Sequence, residues 1–233
     1  MISFIVPAYN EESYIEATLQ AIHESGKKIQ IEYEIIVAND ASTDQTQAIA
    51  EKNGACVITA FNRQIAATRN SGAGAAKGDI FIFIDADTLI NEKVIVAALN
   101  AVKNGAVGGG AKVTFDQAPF YARMMAGALN LLFRLTKHAA GCFMYCTRQA
   151  FEATKGFDEE YFGAEEIIFS RALKKQGKFV FLRESVTTSG RKLKAYTGWQ
   201  IFRISASLIL RGPNSVKKRK GMEFSYDGKR EYK

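Results

Sequence analysis

The stretch DIFIFIDADTLI, Asp79 to Ile90, runs five apolar residues, Ile80 to Ile84, straight into two acids, Asp85 and Asp87, with one alanine between them. An uninterrupted apolar run of aromatic and β-branched residues, bounded by polar ones, reads as a strand buried on both faces, as in the interior of a parallel sheet. Two carboxylates this close repel each other and lose hydration in any enclosed setting, so a balancing positive charge is expected beside them.

Outward from this strand the chain alternates. ISFIV (2–6) is a buried strand, and within Glu11–Ser25 the apolar residues Ile15, Leu19 and Ile22 recur at helical spacing. YEIIVA is a second strand. Ser42 or Thr43 is expected to cap a helix running to about Lys52, which Asn53-Gly54 closes. ACVITA is a third strand, Ile65–Ala76 a helix, Ile80–Ile84 the fourth strand, and a further helix runs from about Asn91 to Lys103. Repeated β-α-β predicts an α/β fold: a mostly parallel, doubly wound sheet with right-handed crossovers and helices on both faces.

After Gly108-Gly109-Gly110 the rhythm changes. AKVTF reads as a strand, and Phe120 to Leu135 as an apolar helix with a polar stripe at Arg123, Asn130 and Arg134. CFMYCT follows as a strand with Cys142 and Cys146 in its core, then a helix near Gln149, the loop KGFDEEYFGAEE, a helix to about Gln176 and the strand FVFL. A last amphipathic helix, about Leu193 to Leu210, keeps Gln200, Arg203, Ser207 and Arg211 on one narrow stripe.

The 233 residues, 47% hydrophobic and 24% charged, suit one sizeable folded domain with an appendage. No charged leader with an apolar core opens the chain and no run of eighteen apolar residues occurs, so a cytoplasmic protein without a membrane span is expected. Three cysteines in no zinc spacing agree with a reducing compartment. From Arg211 onward eight basic residues face three acids, so the tail supplies +5 of the net charge of +7. A nearly neutral body argues against nucleic-acid binding.

Three strands end in acids: PAYNEE, NDASTD and DADT. In an open parallel sheet, ligands bind outside the carboxyl ends of the strands, where strand order reverses. An order beginning 3-2-1-4 would gather Glu11, Asp40, Asp85 and Asp87 along one rim. Asp85 and Asp87, two residues apart, would project to the same side of extended backbone. Hard oxygen donors without a His or Cys cluster suit Mg²⁺ or Mn²⁺, which takes its other ligands from water and phosphate. A P-loop is excluded, because GAGAAKGD has the wrong spacing, and Lys77 breaks a G-x-G-x-x-G pattern. A dehalogenase-type phosphatase fails too: its threonine lies four residues after the first Asp, whereas Thr88 lies three after Asp85.

Taken together, IVPAYNEE, IIVANDASTDQT, ATRNSGAGAAKGDIFIFIDADT and CTRQAFEATKGFDEEYFGAEEIIFSRALKKQG resemble, in order and spacing, the family-2 inverting glycosyltransferases of the GT-A nucleotide-sugar fold. The resemblance spans roughly residues 2 to 182. It implies transfer of a sugar from a nucleoside-diphosphate sugar to an acceptor hydroxyl with a divalent metal, Mg²⁺ or Mn²⁺. By that likeness Pro7, Tyr9, Glu11, Asp40, Arg69 and Asp85 would bind the nucleotide and Asp87 with Asp85 the metal; beyond the span of the likeness, Arg191 or Lys192 is a candidate for the charge of the leaving diphosphate. Glu166 stands where the family usually has an aspartate as base, with Glu165 just before it, and either glutamate is a candidate. The implied organisation is a GT-A domain over 1–190, with a nucleotide half (1–105) and an acceptor half (106–190), followed by the helix and basic tail of 191–233.

So wide an apolar surface on the last helix, followed by basic residues, suits an anionic membrane surface through 195–220, a partner, or the domain itself. Peripheral attachment at the inner face of the cell membrane, with a lipid-linked acceptor, is one expectation. The competing readings are a sugar-phosphate nucleotidyltransferase, against which PAYNEE stands in place of a Gly- and Arg-rich first loop, and a membrane-attached scaffold without turnover.

Overall fold

The computed structural model describes residues 1–116 and 120–191, with the backbone alone at 120–122 and 125; the expected last helix, the basic tail and Lys192 lie outside the described residues. The chain order is β1 (Ile2–Ala8), α1 (Ile15–Ile29), β2 (Tyr33–Asp40), α2 (Thr46–Lys52), β3 (Cys56–Ala60), α3 (Ile65–Ala75), β4 (Ile80–Ile84) and β5 (Thr88–Leu89). Then come α4 (Glu92–Lys103), β6 (Ala106–Phe115), α5 (Phe120–Thr136), β7 (Phe143–Thr147), α6 (Arg148–Thr154), α7 (Glu165–Gln176) and β8 (Lys178–Thr188).

The apolar runs are buried on both faces because alternate residues enter two separate cores. Ile82 and Ile84 of β4 join Phe4 and Val6 of β1, packed under Ile15, Leu19 and Ile22 of α1 and Val94, Ile95 and Ala98 of α4. Phe81 and Phe83 point the other way, into a layer with Ile5, Ala66 and Ala73 of α3, Ala150 of α6, and Phe169 and Leu173 of α7. This is the period-two alternation of a strand with helices on each side.

The sheet order is β3-β2-β1-β4-β7-β6-β8-β5. The first four strands are parallel, as the β-α-β rhythm predicts. β7 then runs antiparallel to both β4 and β6, so the second half is mixed. β1 pairs with β4 only as far as Ile5↔Phe83 but with β2 as far as Ala8↔Asn39. Pro7, with no N–H to donate, lies beyond the last β1–β4 pair, and the two strands part at the reversal point.

Two local expectations are corrected. Gly108-Gly109-Gly110 lies inside β6 rather than ahead of the strand expected at AKVTF, and β6 is ten residues long. The phenol of Tyr145 passes over Gly109 to donate to the Val180 carbonyl at 3.0 Å, in space a side chain there would occupy. Neither Ser42 nor Thr43 caps α2, which begins at Thr46. Ser42 Oγ instead accepts from Asn10 N (3.0 Å), and Thr43 N donates to Asn10 Oδ1 (2.8 Å), which ties the β1 and β2 loops together. Asp44 takes up the free amide of Thr46 at 3.0 Å. Asn91 caps α4, its side chain accepting from Val94 N.

Candidate active site

The carboxyl ends of β1, β2 and β4 lie side by side, so Glu11, Asp40, Asp85 and Asp87 do share one rim of the sheet. Their partners sort them into three groups.

Asp40, at the end of β2, is buried and accepts from the backbone amides of Asn62 (2.7 Å) and Arg63 (3.0 Å) and from Thr68 Oγ1 (3.0 Å). It braces the loop between β3 and α3. From that loop Arg63 donates to the Tyr9 hydroxyl at 2.7 Å and stacks on its ring at 4.1 Å, which joins the β1 loop to the same edge.

Asp85 belongs with Arg69 and Glu165. Arg69 rises from α3 into the interior, 2% exposed, donating through Nη1 to Glu165 Oε1 (2.7 Å) and through Nη2 to Asp85 Oδ1 (3.0 Å) and the Gly141 carbonyl (3.0 Å). Burial opposes its charge, but Asp85, Glu165 and Glu166 outweigh burial and hold its pKa above the ordinary arginine value. Beside it, burial first and the neighbouring Glu165 second push the Glu166 carboxyl up to about 8. One member of the glutamate pair is therefore neutralised by an arginine and the other by a proton.

Asp87 belongs with Glu11 and Arg191. Arg191 Nη2 lies 2.7 Å from each Glu11 carboxylate oxygen and 2.9 Å from Asp87 Oδ2. Its guanidinium also covers the Tyr14 ring at 4.4 Å. Thr188 Oγ1 donates to Asp87 Oδ1 at 3.3 Å, and Ser189 N to the Asp87 carbonyl at 3.1 Å.

The expectation that Asp85 and Asp87 project together from extended backbone is corrected. The chain leaves β4 in a turn, with Thr88 N donating to the Asp85 carbonyl at 3.0 Å, so the two acids reach different arginines. Both still bear on one place. The buried Cys142 thiol is pushed well up, by burial first and then by Asp85 and Asp87 together. The opening puzzle has a local answer: Arg69 and Arg191 each neutralise one of the two acids.

Tyr9, Glu11, Asp40, Arg69, Asp85, Asp87, Glu165 and Arg191 thus fall into neighbouring paired groups, with Glu166 next to Glu165, while Pro7 lies in β1. Sequence reasoning passed over Gln64 and Asn70. Gln64 Nε2 reaches the Glu159 and Tyr161 carbonyls, the latter at 3.3 Å. Asn70 Nδ2 donates to the Phe157 carbonyl (2.8 Å) and its Oδ1 accepts from Phe157 N (2.8 Å). Both hold the loop in front of Glu165 and Glu166. The only trace in the sequence is that Asn70 directly follows Arg69.

The family model for glycosyl transferase family 2 matches residues 3–155, about two thirds of the chain, including Glu11, Asp40, Asp85 and Asp87 but not Glu165 or Glu166. The chain belongs to this family. Among family-2 relatives it is 30% identical over 146 residues to the dolichol-phosphate mannosyltransferase of Pyrococcus furiosus, a match spanning 58% of this chain and 40% of that protein. With the poly(ribitol-phosphate) beta-N-acetylglucosaminyltransferase TarS of Staphylococcus aureus it shares 30% over 103 residues, 40% of this chain and 17% of that one. The chain spans less than half the length of the curated relatives it matches. Among solved structures, S. aureus TarS 1–349 in complex with UDP superimposes with a TM-score of 0.66 at 23% identity, over 81% of this chain and 60% of that one. A mannosyltransferase from Pyrobaculum calidifontis in complex with GDP-Man and Mn²⁺ gives 0.63 at 22% identity, over 80% and 56%. These likenesses show the GT-A fold.

Proposed function

We propose that this family-2 chain is a divalent-cation-dependent, inverting glycosyltransferase that moves a sugar from a nucleoside-diphosphate sugar to an acceptor hydroxyl. The observation that carries the proposal is geometric: Arg69 joins Asp85, at the end of β4, to Glu165, the neighbour of Glu166, so acid pair and candidate base meet at one rim.

Pro7, Tyr9, Glu11, Asp40, Arg69 and Asp85 would receive the nucleotide, and the structures of relatives bound to UDP and to GDP-Man agree in ligand class. Asp40 would act partly through the loop amides it already holds. Among the described residues no three His, Cys, Asp or Glu side chains form a ready metal cage. Two aspartates and no nitrogen or sulfur donor fit Mg²⁺ or Mn²⁺, which keeps waters and recruits phosphate oxygens. Asp87, with Asp85, would hold that cation, and when bound it supplies positive charge for the departing diphosphate. Arg191 and Lys192 would add to that charge.

Transfer with inversion needs the acceptor oxygen to lose its proton as it attacks the anomeric carbon and the bond to the diphosphate breaks. Glu166 would accept that proton, a contribution of roughly 10²–10⁴-fold. Glu165, fixed by Arg69, would orient it. A thermal-shift panel of nucleotide-sugars with Mn²⁺ identifies the donor, since ligand binding to the native state raises apparent stability. Asp87→Ala should then lose cation-dependent nucleotide-sugar binding while melting cooperatively. Undiminished turnover by that variant would end the cation assignment.

The acceptor would be met at an anionic membrane surface. Met124, Leu129, Leu131, Leu132 and Leu135 of α5 are exposed, with Arg123, Arg134 and Lys137 exposed beside them. An apolar face edged with basic groups suits the headgroup boundary.

A further inference from the structure

Arg191 occupies the position where the proposed cation would need Asp87. Both Asp87 oxygens are engaged, Oδ2 by Arg191 at 2.9 Å and Oδ1 by Thr188 at 3.3 Å. Both Glu11 oxygens are engaged as well, each 2.7 Å from the same nitrogen of Arg191. The three side chains are 14%, 9% and 10% exposed for Arg191, Glu11 and Asp87, so water screens the pairs weakly.

We propose that Arg191 is a built-in counter-ion that takes the cation's place on Asp87 and moves to the diphosphate of the incoming donor, so that cation and donor bind together and the bare cation binds weakly. The inference rests on the cation reading of Asp87 and adds an order of events to it.

A guanidinium and a divalent ion on the same carboxylate oxygen repel each other across it. A bare cation therefore has to displace Arg191 and leave it without Asp87. A cation arriving with a nucleoside diphosphate brings the missing anion. The planar guanidinium that now bridges two carboxylates has the donor geometry to bridge phosphate oxygens. Donor entry also frees Glu11, at the end of β1, from the same grip. One residue thus couples the two sites, and by linkage each ligand strengthens the other by the same factor.

The test is Mn²⁺ binding followed by the electron paramagnetic resonance of the free ion, alone and with UDP or GDP, on the full chain. The parent should bind Mn²⁺ weakly alone and roughly tenfold or more tightly with the matching nucleoside diphosphate, within the usual 5–150-fold span of site coupling. Arg191→Gln should bind bare Mn²⁺ roughly tenfold more tightly than the parent and lose most of the nucleotide enhancement. Arg191→Lys, which keeps the charge but loses the planar fork, should bind bare Mn²⁺ as weakly as the parent and keep only part of the nucleotide enhancement. If Arg191→Gln does not fold, Tyr14→Leu decides: without the ring under the guanidinium, bare Mn²⁺ should bind about threefold more tightly. Unchanged or weaker bare Mn²⁺ binding in the folded variant overturns the counter-ion while leaving the cation site intact. Absence of Mn²⁺ binding in parent and variants, with or without nucleotide, overturns the cation site and the inference together.

Discussion

Glu165 and Glu166 are neighbours of one type at the start of α7, yet their surroundings differ. Glu165 is paired with the Arg69 guanidinium at 2.7 Å, whereas burial first and the neighbouring Glu165 second push the Glu166 carboxyl up to about 8. Below that value Glu166 carries its proton and cannot accept one, so kcat/KM should rise with pH through about 8 and level off above it. Glu165→Gln removes the second cause of the shift, the neighbouring negative charge, so the limb should move to lower pH while kcat falls. A pH–rate profile that keeps its midpoint in this variant would separate the two glutamates. Glu166→Gln should abolish the limb along with most of the turnover.

Helix α3 joins the two halves of the site. Its first turn is tied to Asp40 through Thr68, its middle supplies Arg69 to Asp85 and Glu165, and Gln64 and Asn70 hold the loop over Phe157–Tyr161. Gly156, at φ 77°, starts that loop in the left-handed region, and a side chain there would meet the Asn70 amide. Asn70→Ala should cost about 1–3 kcal/mol through the unpaired Phe157 backbone groups. It should also lower kcat by about 10²-fold with nucleotide affinity nearly unchanged, because a misplaced base affects attack more than donor binding. Denaturant melts and isothermal titration with UDP and GDP check the two halves of this expectation. Equal losses in kcat and nucleotide affinity would make Asn70 a purely structural latch.

At the scale of the molecule, the exposed apolar face of α5 is the feature the two cores do not absorb. Asn130 pins this helix to β6, accepting from Val113 N at 2.9 Å and donating to its carbonyl at 2.8 Å, so the face is held outward by a defined contact. No helix among the described residues is long and apolar enough to cross a membrane, which leaves this face able to lie in an interface. The chain should float with vesicles containing anionic lipid at low salt and be released by salt, since each basic group near the surface contributes about 1 kcal/mol. Leu131→Ser with Leu135→Ser should weaken flotation without changing the melting temperature. Equal flotation with neutral vesicles, or none with either, would count against the membrane reading.

Much of the fold was legible because it is written in local periodicities. Buried runs such as IFIFI report a strand with helices on both faces, and the β-α-β rhythm through Lys103 implies the parallel pairing of β3, β2, β1 and β4, whose order is the 3-2-1-4 that would gather the acids. The acids at the ends of β1, β2 and β4 could be placed on one rim for the same reason. The mixed second half was harder to read, since the glycines of β6 look like a break until Tyr145 is seen crossing Gly109. Sequence alone also determined that the acids would need positive charge beside them. Which charge meets which acid was decided only by tertiary structure: Arg69 lies 16 residues from Asp85, and Arg191 lies 180 from Glu11. Partners that far apart are brought together by strand order and helix packing, and the pKa of Glu166 follows from the burial that packing creates, which no local pattern encodes.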